Sequence, residues 1–275
     1  MKKIVCVLLA SSAILFASCK KEKQAGIAGS VSTNGSTSMS SVISILSEDF
    51  MAKNPNVAIT YDPTGSGAGI ESVSTGNADI GLASRGLKDK ERSSGLQSTT
   101  LALDGIAIIV NKANALNDIT LADLSKVFTG EITNWKTLGG DDLEIANIGR
   151  EAGSGTRDGF ESITKTGGKC KLQSELTSTG AVISSVANNK NAIGYASLSA
   201  VENQSDIKAL KVEGIFPTEA SVQDGSYKIQ RPFILVTKQA SPLSKTAQAF
   251  FDYMTSGDRA VDELVKKAGA VPIVR

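Results

Sequence analysis

The sequence predicts an α/β protein of two lobes, and three observations carry that expectation. The first is a recurring order of strand, loop and helix. Strand-like runs at 27–32, 57–61 and 145–148 lead into Thr33-Asn34-Gly35-Ser36-Thr37-Ser38, Thr64-Gly65-Ser66-Gly67-Ala68-Gly69 and Gly149-Arg150-Glu151-Ala152-Gly153-Ser154-Gly155-Thr156-Arg157. Each loop is rich in glycine and hydroxyl residues and stands at the C-terminal end of its strand, where open α/β sheets bind ligands. The second is the unbroken apolar run Ile106-Ala107-Ile108-Ile109-Val110, the pattern of a strand covered on both faces. The third is that residues 227–238 echo 103–112, an apolar strand ending in Thr237-Lys238 or Asn111-Lys112. Two such runs flanking a middle block suit a chain that crosses between lobes and returns.

The elements follow from local pattern. Val42, Ile43, Leu46 and Phe50 recur at helical spacing, so a helix begins near Ser38 and ends before Pro55. Val57, Ile59 and Tyr61 alternate as in a strand. Ile70 and Val73 open a short helix that stops at Gly76, and residues 78–83 form another strand ending in Ser84-Arg85. Thr120-Leu121-Ala122-Asp123 resembles a capping box for a helix carrying Leu121, Leu124, Val127 and Phe128, closed by Gly130. Beyond the 149–157 loop, Phe160 and Ile163 share a helical face, and a further helix is expected at about 180–188 before a strand at 192–196. The strand at 227–238 is interrupted by Pro232, and helices near 244–255 and 258–267 close the chain.

Composition narrows the function. The chain has 275 residues, 41% hydrophobic and 21% charged, enough for one large or two medium domains. Lys+Arg at 29 against Asp+Glu at 28 gives a net charge of +1, which argues against a general nucleic-acid or membrane-surface binder. The absence of histidine removes Ser-His and Cys-His nucleophilic pairs and the commonest zinc sets. Cys6, Cys19 and Cys170 form no disulfide or metal pattern, and no cofactor is implied.

Residues 1–18 read as a signal peptide: Met1-Lys2-Lys3, then an apolar stretch at 4–16 too short to span a bilayer. Phe16-Ala17-Ser18-Cys19 resembles a bacterial lipobox, with Phe16 where an aliphatic residue is usual. Cys19 is therefore the expected lipidation site, bearing a palmitate-type anchor, and 19–25 the polar tether from membrane to domain.

In the 149–157 loop, the helix start leaves backbone N–H groups unpaired and pointing at one spot, a ready site for an anion. Arg150 and Arg157 add charge there. Taken alone, the loop is read first as a plain turn in which Ser154 is an N-cap.

The ordered set of motifs resembles the solute-binding lipoproteins of the bacterial high-affinity Pst-type phosphate ABC importers. It comprises Gly35-Ser36-Thr37-Ser38, Thr64-Gly65-Ser66-Gly67-Ala68-Gly69, Asp79-Ile80-Gly81-Leu82-Ala83-Ser84-Arg85, residues 127–135, Arg150 to Arg157, and Ala192-Ile193-Gly194-Tyr195. The resemblance implies a two-lobed periplasmic-binding-protein (type II) fold of two mixed sheets flanked by helices, with two crossover strands. It places lobe one at 26–104 plus 236–275 and lobe two at 105–235. It further implies inorganic phosphate held in the cleft by Thr37, Ser38, Ser66, Ser84, Arg85, Arg150, Ser154, Gly155 and Thr156. It also implies a monomeric, lipid-anchored receptor at the outer face of the cytoplasmic membrane, serving the permease and ATPase subunits of an importer.

Arg85 departs from the longer members of that family, which carry aspartate there. Direct anion contact and a pair with Asp79 are both open to it. Telling phosphate from sulfate requires an acceptor for the proton that phosphate retains. Asp62, Asp79, Glu151 and Asp158 are candidates by position, although Glu151 and Asp158 are also placed to pair with Arg150 or Arg157. A receptor for another tetrahedral oxyanion is the alternative within the class. A serine hydrolase using Ser66 or Ser154 is disfavoured, because neither sits in Gly-x-Ser-x-Gly and no histidine exists.

Overall fold

The computed structural model describes residues 26–202 and 204–273. The signal peptide, tether and Cys19 lie outside the described residues. Strand β1 (Gly29–Gly35) leads through a 3₁₀ turn at Thr37–Met39 into α1 (Ser40–Lys53), followed by β2 (Val57–Asp62), α2 (Ser66–Thr75), β3 (Ile80–Ala83), α3 (Asp89–Ser93) and β4 (Leu96–Asn111). The middle block holds β5 (Asp118–Ile119), α4 (Leu121–Thr129), β6 (Ala146–Arg150), α5 (Gly155–Thr164), β7 (Ser174–Leu176), α6 (Thr179–Ala187), β8 (Ala192–Ser197), α7 (Leu198–Val201), β9 (Ile207–Ala209), β10 (Lys211–Val212) and α8 (Glu219–Gln223). The return comprises β11 (Gln230–Lys238), α9 (Lys245–Thr255), α10 (Arg259–Lys267) and β12 (Val271–Pro272).

The main sheet runs β2-β1-β3-β11-β4-β8-β6-β7, so the two halves share β4. The 16 residues of β4 reach through both. Its first part pairs antiparallel with β11, and Ile106 to Val110 pair antiparallel with β8. The apolar run alternates as a two-sided strand must. Ile106, Ile108 and Val110 enter one core with Phe128, Trp135, Phe160 and Tyr195. Ala107 and Ile109 enter another with Val182 and Val186. Full burial of each such side chain contributes about 1.5–3 kcal/mol, which makes this strand the spine of the middle block.

The first core gathers Val42, Ile43, Leu46 and Phe50 of α1 with Val31, Leu82, Phe250, Met254 and Val265. Helices α9 and α10 therefore fold back on β1 and α1. Helix α2 lies directly on β1: a Cβ on Gly69 would come within 2.4 Å of the Asn34 carbonyl oxygen. Only glycine permits that approach, and it brings the start of α2 beside the end of β1.

Two boundaries differ from the sequence reading. Thr33 and Asn34 belong to β1 and not to the turn, because parallel pairing with β2 and β3 carries the strand through them. The second crossover falls at Gln230, opposite Gly105, and not near 236. Phe233 and Leu235 consequently pack in the first core. Pro232 is accommodated inside β11, next to a register shift at Phe233/Ile234.

Candidate functional site

The two halves meet where the loops at 35–38, 64–67, 150–156 and 177–179 converge. From the first half come Thr37 and Ser38, in the 3₁₀ turn before α1, and Ser66 at the start of α2. From the second come Thr156 in the first turn of α5 and Thr179 opening α6. Ser38 Oγ lies 2.9 Å from Thr156 Oγ1 and 3.0 Å from Thr179 Oγ1, and Thr37 Oγ1 lies 3.1 Å from Thr179 Oγ1. Backbone joins the seam as well: the Gly67 N–H donates to the Gly153 carbonyl at 2.9 Å. Gly155 seats against Ser66 and Ser84, whose Oγ atoms would stand 2.4 and 2.6 Å from any Cβ placed there. The halves are closed on one another, with helix N-termini directed into the seam from both sides.

Arg150 ends β6 and is 2% exposed. Its backbone N–H donates to the Tyr195 hydroxyl. Tyr195 stacks on Phe160 with ring centroids 4.3 Å apart, so the aromatic core fixes where β6 stops. Burial pushes the Tyr195 hydroxyl's pKa well up, and it stays protonated. The Arg150 guanidinium is largely committed. Nε donates to the Leu176 carbonyl at 3.0 Å, and Nη2 to the Thr177 carbonyl and to Glu151 Oε1, both at 2.9 Å. Nη1 makes only a long bond of 3.3 Å to Thr179 Oγ1. Of the five N–H donors of a guanidinium, the Nη1 pair is thus the edge presented to the seam. Arg150 presents a single edge to the seam, its other donors being held by the 176–177 backbone and Glu151.

The remaining expected residues are placed differently. Ser154 Oγ accepts from the Arg157 N–H at 3.3 Å and caps α5. Ser84 is fully buried behind Ser66. Arg85 stands apart from the hydroxyl cluster. It pairs with Glu91 at 2.7 Å and reaches across the seam to Asp158 at 2.9 Å, joined there by Lys88 at 3.0 Å. Asp79, the partner open to Arg85 from sequence, instead accepts from the backbone N–H and hydroxyl of Ser32, each at 2.7 Å. Arg157 pairs with Glu161 and Glu175. Thr179 was missed by sequence reasoning. Its signal was Ser178-Thr179-Gly180, a hydroxyl pair heading the 180–188 helix.

Burial alone would raise the Glu91 pKa from its usual 4.5, but hydrogen bonds from Arg85 and the Lys88 N–H outweigh that and lower it. A depressed carboxylate contributes stability that is present above its unfolded pKa and lost as pH falls through the folded one. Glu91→Gln is therefore expected to lower the melting temperature at pH 7 and to lower it less at pH 2.5, read by calorimetry. An equal loss at both pH values would contradict this assignment.

The fold and this seam define a bilobal solute-binding protein: a family model described as a PBP superfamily domain matches residues 20–258. The phosphate-binding protein PstS of Borreliella burgdorferi is 30% identical over 96% of this chain and 97% of its own length. That of Bacillus subtilis is 32% identical over 93% and 84%. A crystal structure described as a phosphate ABC transporter substrate-binding protein from Clostridium perfringens, with bound phosphate, is 38% identical. It superposes with a TM-score of 0.85 over 90% of this chain and 100% of that one. An ABC-type phosphate transport receptor from Vibrio cholerae is 30% identical, with a TM-score of 0.72 over 89% and 100%. The chain belongs to the PstS family of phosphate-binding proteins.

Proposed function

We propose that this chain binds inorganic phosphate in the seam between its lobes and delivers it to the permease and ATPase subunits of an ABC importer. The observation that carries this reading is the convergence of helix starts from both lobes on one cluster of hydroxyls, with the Nη1 edge of Arg150 beside it. Each cation near the cluster already has its own carboxylate: Arg150 with Glu151, Arg231 with Asp104. Binding therefore rests on oriented uncharged donors and one charged edge, which suits a small, highly hydrated oxyanion selected by geometry. Several such hydrogen bonds sum past the ~8 kcal/mol of a micromolar ligand, offset in part by desolvation and closure.

Glu151 is the carboxylate best placed to accept the phosphate proton. Its Oε1 is held by Arg150, while Oε2 is buried without a hydrogen-bond partner among the described residues. Asp79 and Asp158 are engaged elsewhere, and Asp62 accepts from Asn34 at the surface. Nothing comparable supports a hydrolase. Ser66 Oγ bonds to Ser84, and Ser154 Oγ to the Arg157 N–H, neither of which is a general base. The lipid anchor at Cys19, export to the outer face of the cytoplasmic membrane and a monomeric state complete the reading. Among the described residues no helix is long and apolar enough to cross a membrane.

Isothermal titration with phosphate and sulfate at pH 5 and pH 8 tests it. Both protonation states of phosphate are expected to bind, with sulfate far weaker, and Glu151→Gln narrows the gap between the two anions. Tight sulfate binding by the unmodified protein would sink the phosphate reading.

A further inference from the structure

Behind the hydroxyl cluster, where the two crossover strands run side by side, Asp104 and Arg231 stand opposite one another in register. They form an ion pair that is 1% and 4% exposed. Arg231 Nε and Nη2 bond to Asp104 Oδ2 at 3.2 and 3.0 Å, and Asp104 Oδ1 accepts from Ser197 Oγ at 2.7 Å. Replacing a buried ion pair with apolar residues is often neutral or stabilising, so stability alone does not account for it.

Its remaining arm does. Arg231 Nη1 donates to Ser84 Oγ at 3.1 Å, and Ser36 Oγ donates to the same oxygen at 2.9 Å. A hydroxyl has two acceptor positions and one proton. With both acceptor positions filled, Ser84 must spend its proton on its third neighbour, Ser66 Oγ, at 3.2 Å. Ser66 Oγ also accepts from the Ser84 backbone N–H at 3.1 Å. Its two acceptor positions are then filled in turn, and its own proton is left to point away from Ser84, on the side where Gly155 opens α5.

We infer that Arg231 is a positioning residue for anion binding: through Ser84 it sets the direction of the Ser66 proton and makes that hydroxyl a donor only. This rests on the phosphate reading of the seam and adds a division of labour to it. Thr156 and Thr179 are each linked to Ser38 in contacts where either oxygen can donate, so that side of the cluster adapts to a protonated or unprotonated ligand oxygen. The Ser66 side cannot accept, and it selects for an oxygen without a proton.

The test is a double-mutant cycle read by isothermal titration with inorganic phosphate on the full folded domain. Ser84→Ala cuts the relay without touching the ion pair. It is expected to weaken binding by about tenfold, as loss of one oriented donor to an anion implies. In a Ser66→Ala background the same change is expected to alter affinity by less than about twofold, because contacts acting through one another are not additive. Arg231→Met combined with Asp104→Asn, which leaves no unpaired buried charge, should behave as Ser84→Ala does. Full additivity with Ser66→Ala, or unchanged affinity in Ser84→Ala, overturns the relay, whether or not the variant replacing both Arg231 and Asp104 folds. Failure of the unmodified protein to bind phosphate in the same titration overturns the phosphate reading instead.

Discussion

Replacing Gly155 with alanine is expected to abolish tight phosphate binding while leaving the fold intact. The added Cβ would stand 2.4 Å from Ser66 Oγ and 2.6 Å from Ser84 Oγ. Neither oxygen can yield cheaply, since Ser84 is fully buried and bound to Ser36, Ser66 and Arg231. The strain is relieved only by drawing α5 back from α2, which breaks the 2.9 Å contacts of Ser38 with Thr156 and of Gly67 with Gly153. Neither core is touched, because the colliding groups belong to opposite lobes. Alanine is also the better helix former at the start of α5, by about 1 kcal/mol in helix interiors. The unliganded variant should therefore melt within a few degrees of the parent. Phosphate, which raises the midpoint of a protein that binds it in the native state, should no longer do so. Small-angle scattering should show no contraction on adding phosphate. A variant that binds with parental affinity would show that the ligand does not require this closure.

Arg150→Ala is expected to weaken phosphate binding by about a hundredfold. The single Nη1 edge facing the seam supplies one charge-assisted hydrogen bond, worth roughly 1.5–3 kcal/mol, where about 1.4 kcal/mol is a factor of ten. A second effect acts in the same direction. Glu151, now relieved of its partner at 2.9 Å, leaves an unbalanced negative charge beside an anion site. Arg150→Ala with Glu151→Gln removes that repulsion and is expected to recover part of the loss, which separates the hydrogen bond from the field. Titration calorimetry reads both variants. Unchanged affinity in Arg150→Ala would place the anion elsewhere. Lysine is a poor substitute, since Nε and Nη2 are what hold the side chain to the 176–177 backbone, and an ammonium lacks that planar geometry.

Much of the fold was legible because it is written in periodicity. The helical spacing of Val42, Ile43, Leu46 and Phe50, the cap at Thr120 and the two-sided apolar run at Ile106–Val110 are local signals, and each element formed where they stand. The second crossover was not legible. Phe233, Ile234 and Leu235 are apolar enough for either lobe, and only antiparallel pairing with the first part of β4 assigns Phe233 and Leu235 to the first core.

The site divides along the same line. The glycine and hydroxyl loops at strand ends, read in order, pointed to an anion site, because a helix start has unpaired N–H groups wherever it occurs. What each group does there depends on neighbours distant in sequence. Arg150 keeps one free edge because Leu176, Thr177 and Glu151 hold the others. Arg85 is drawn off to Glu91 and Asp158, and Ser84 is oriented by Arg231, 147 positions away. A hydroxyl's proton follows its partners, and a residue's identity does not name them. The sequence by itself therefore pointed to an oxyanion held between two lobes. The tertiary structure alone decided which atoms remain free to hold it.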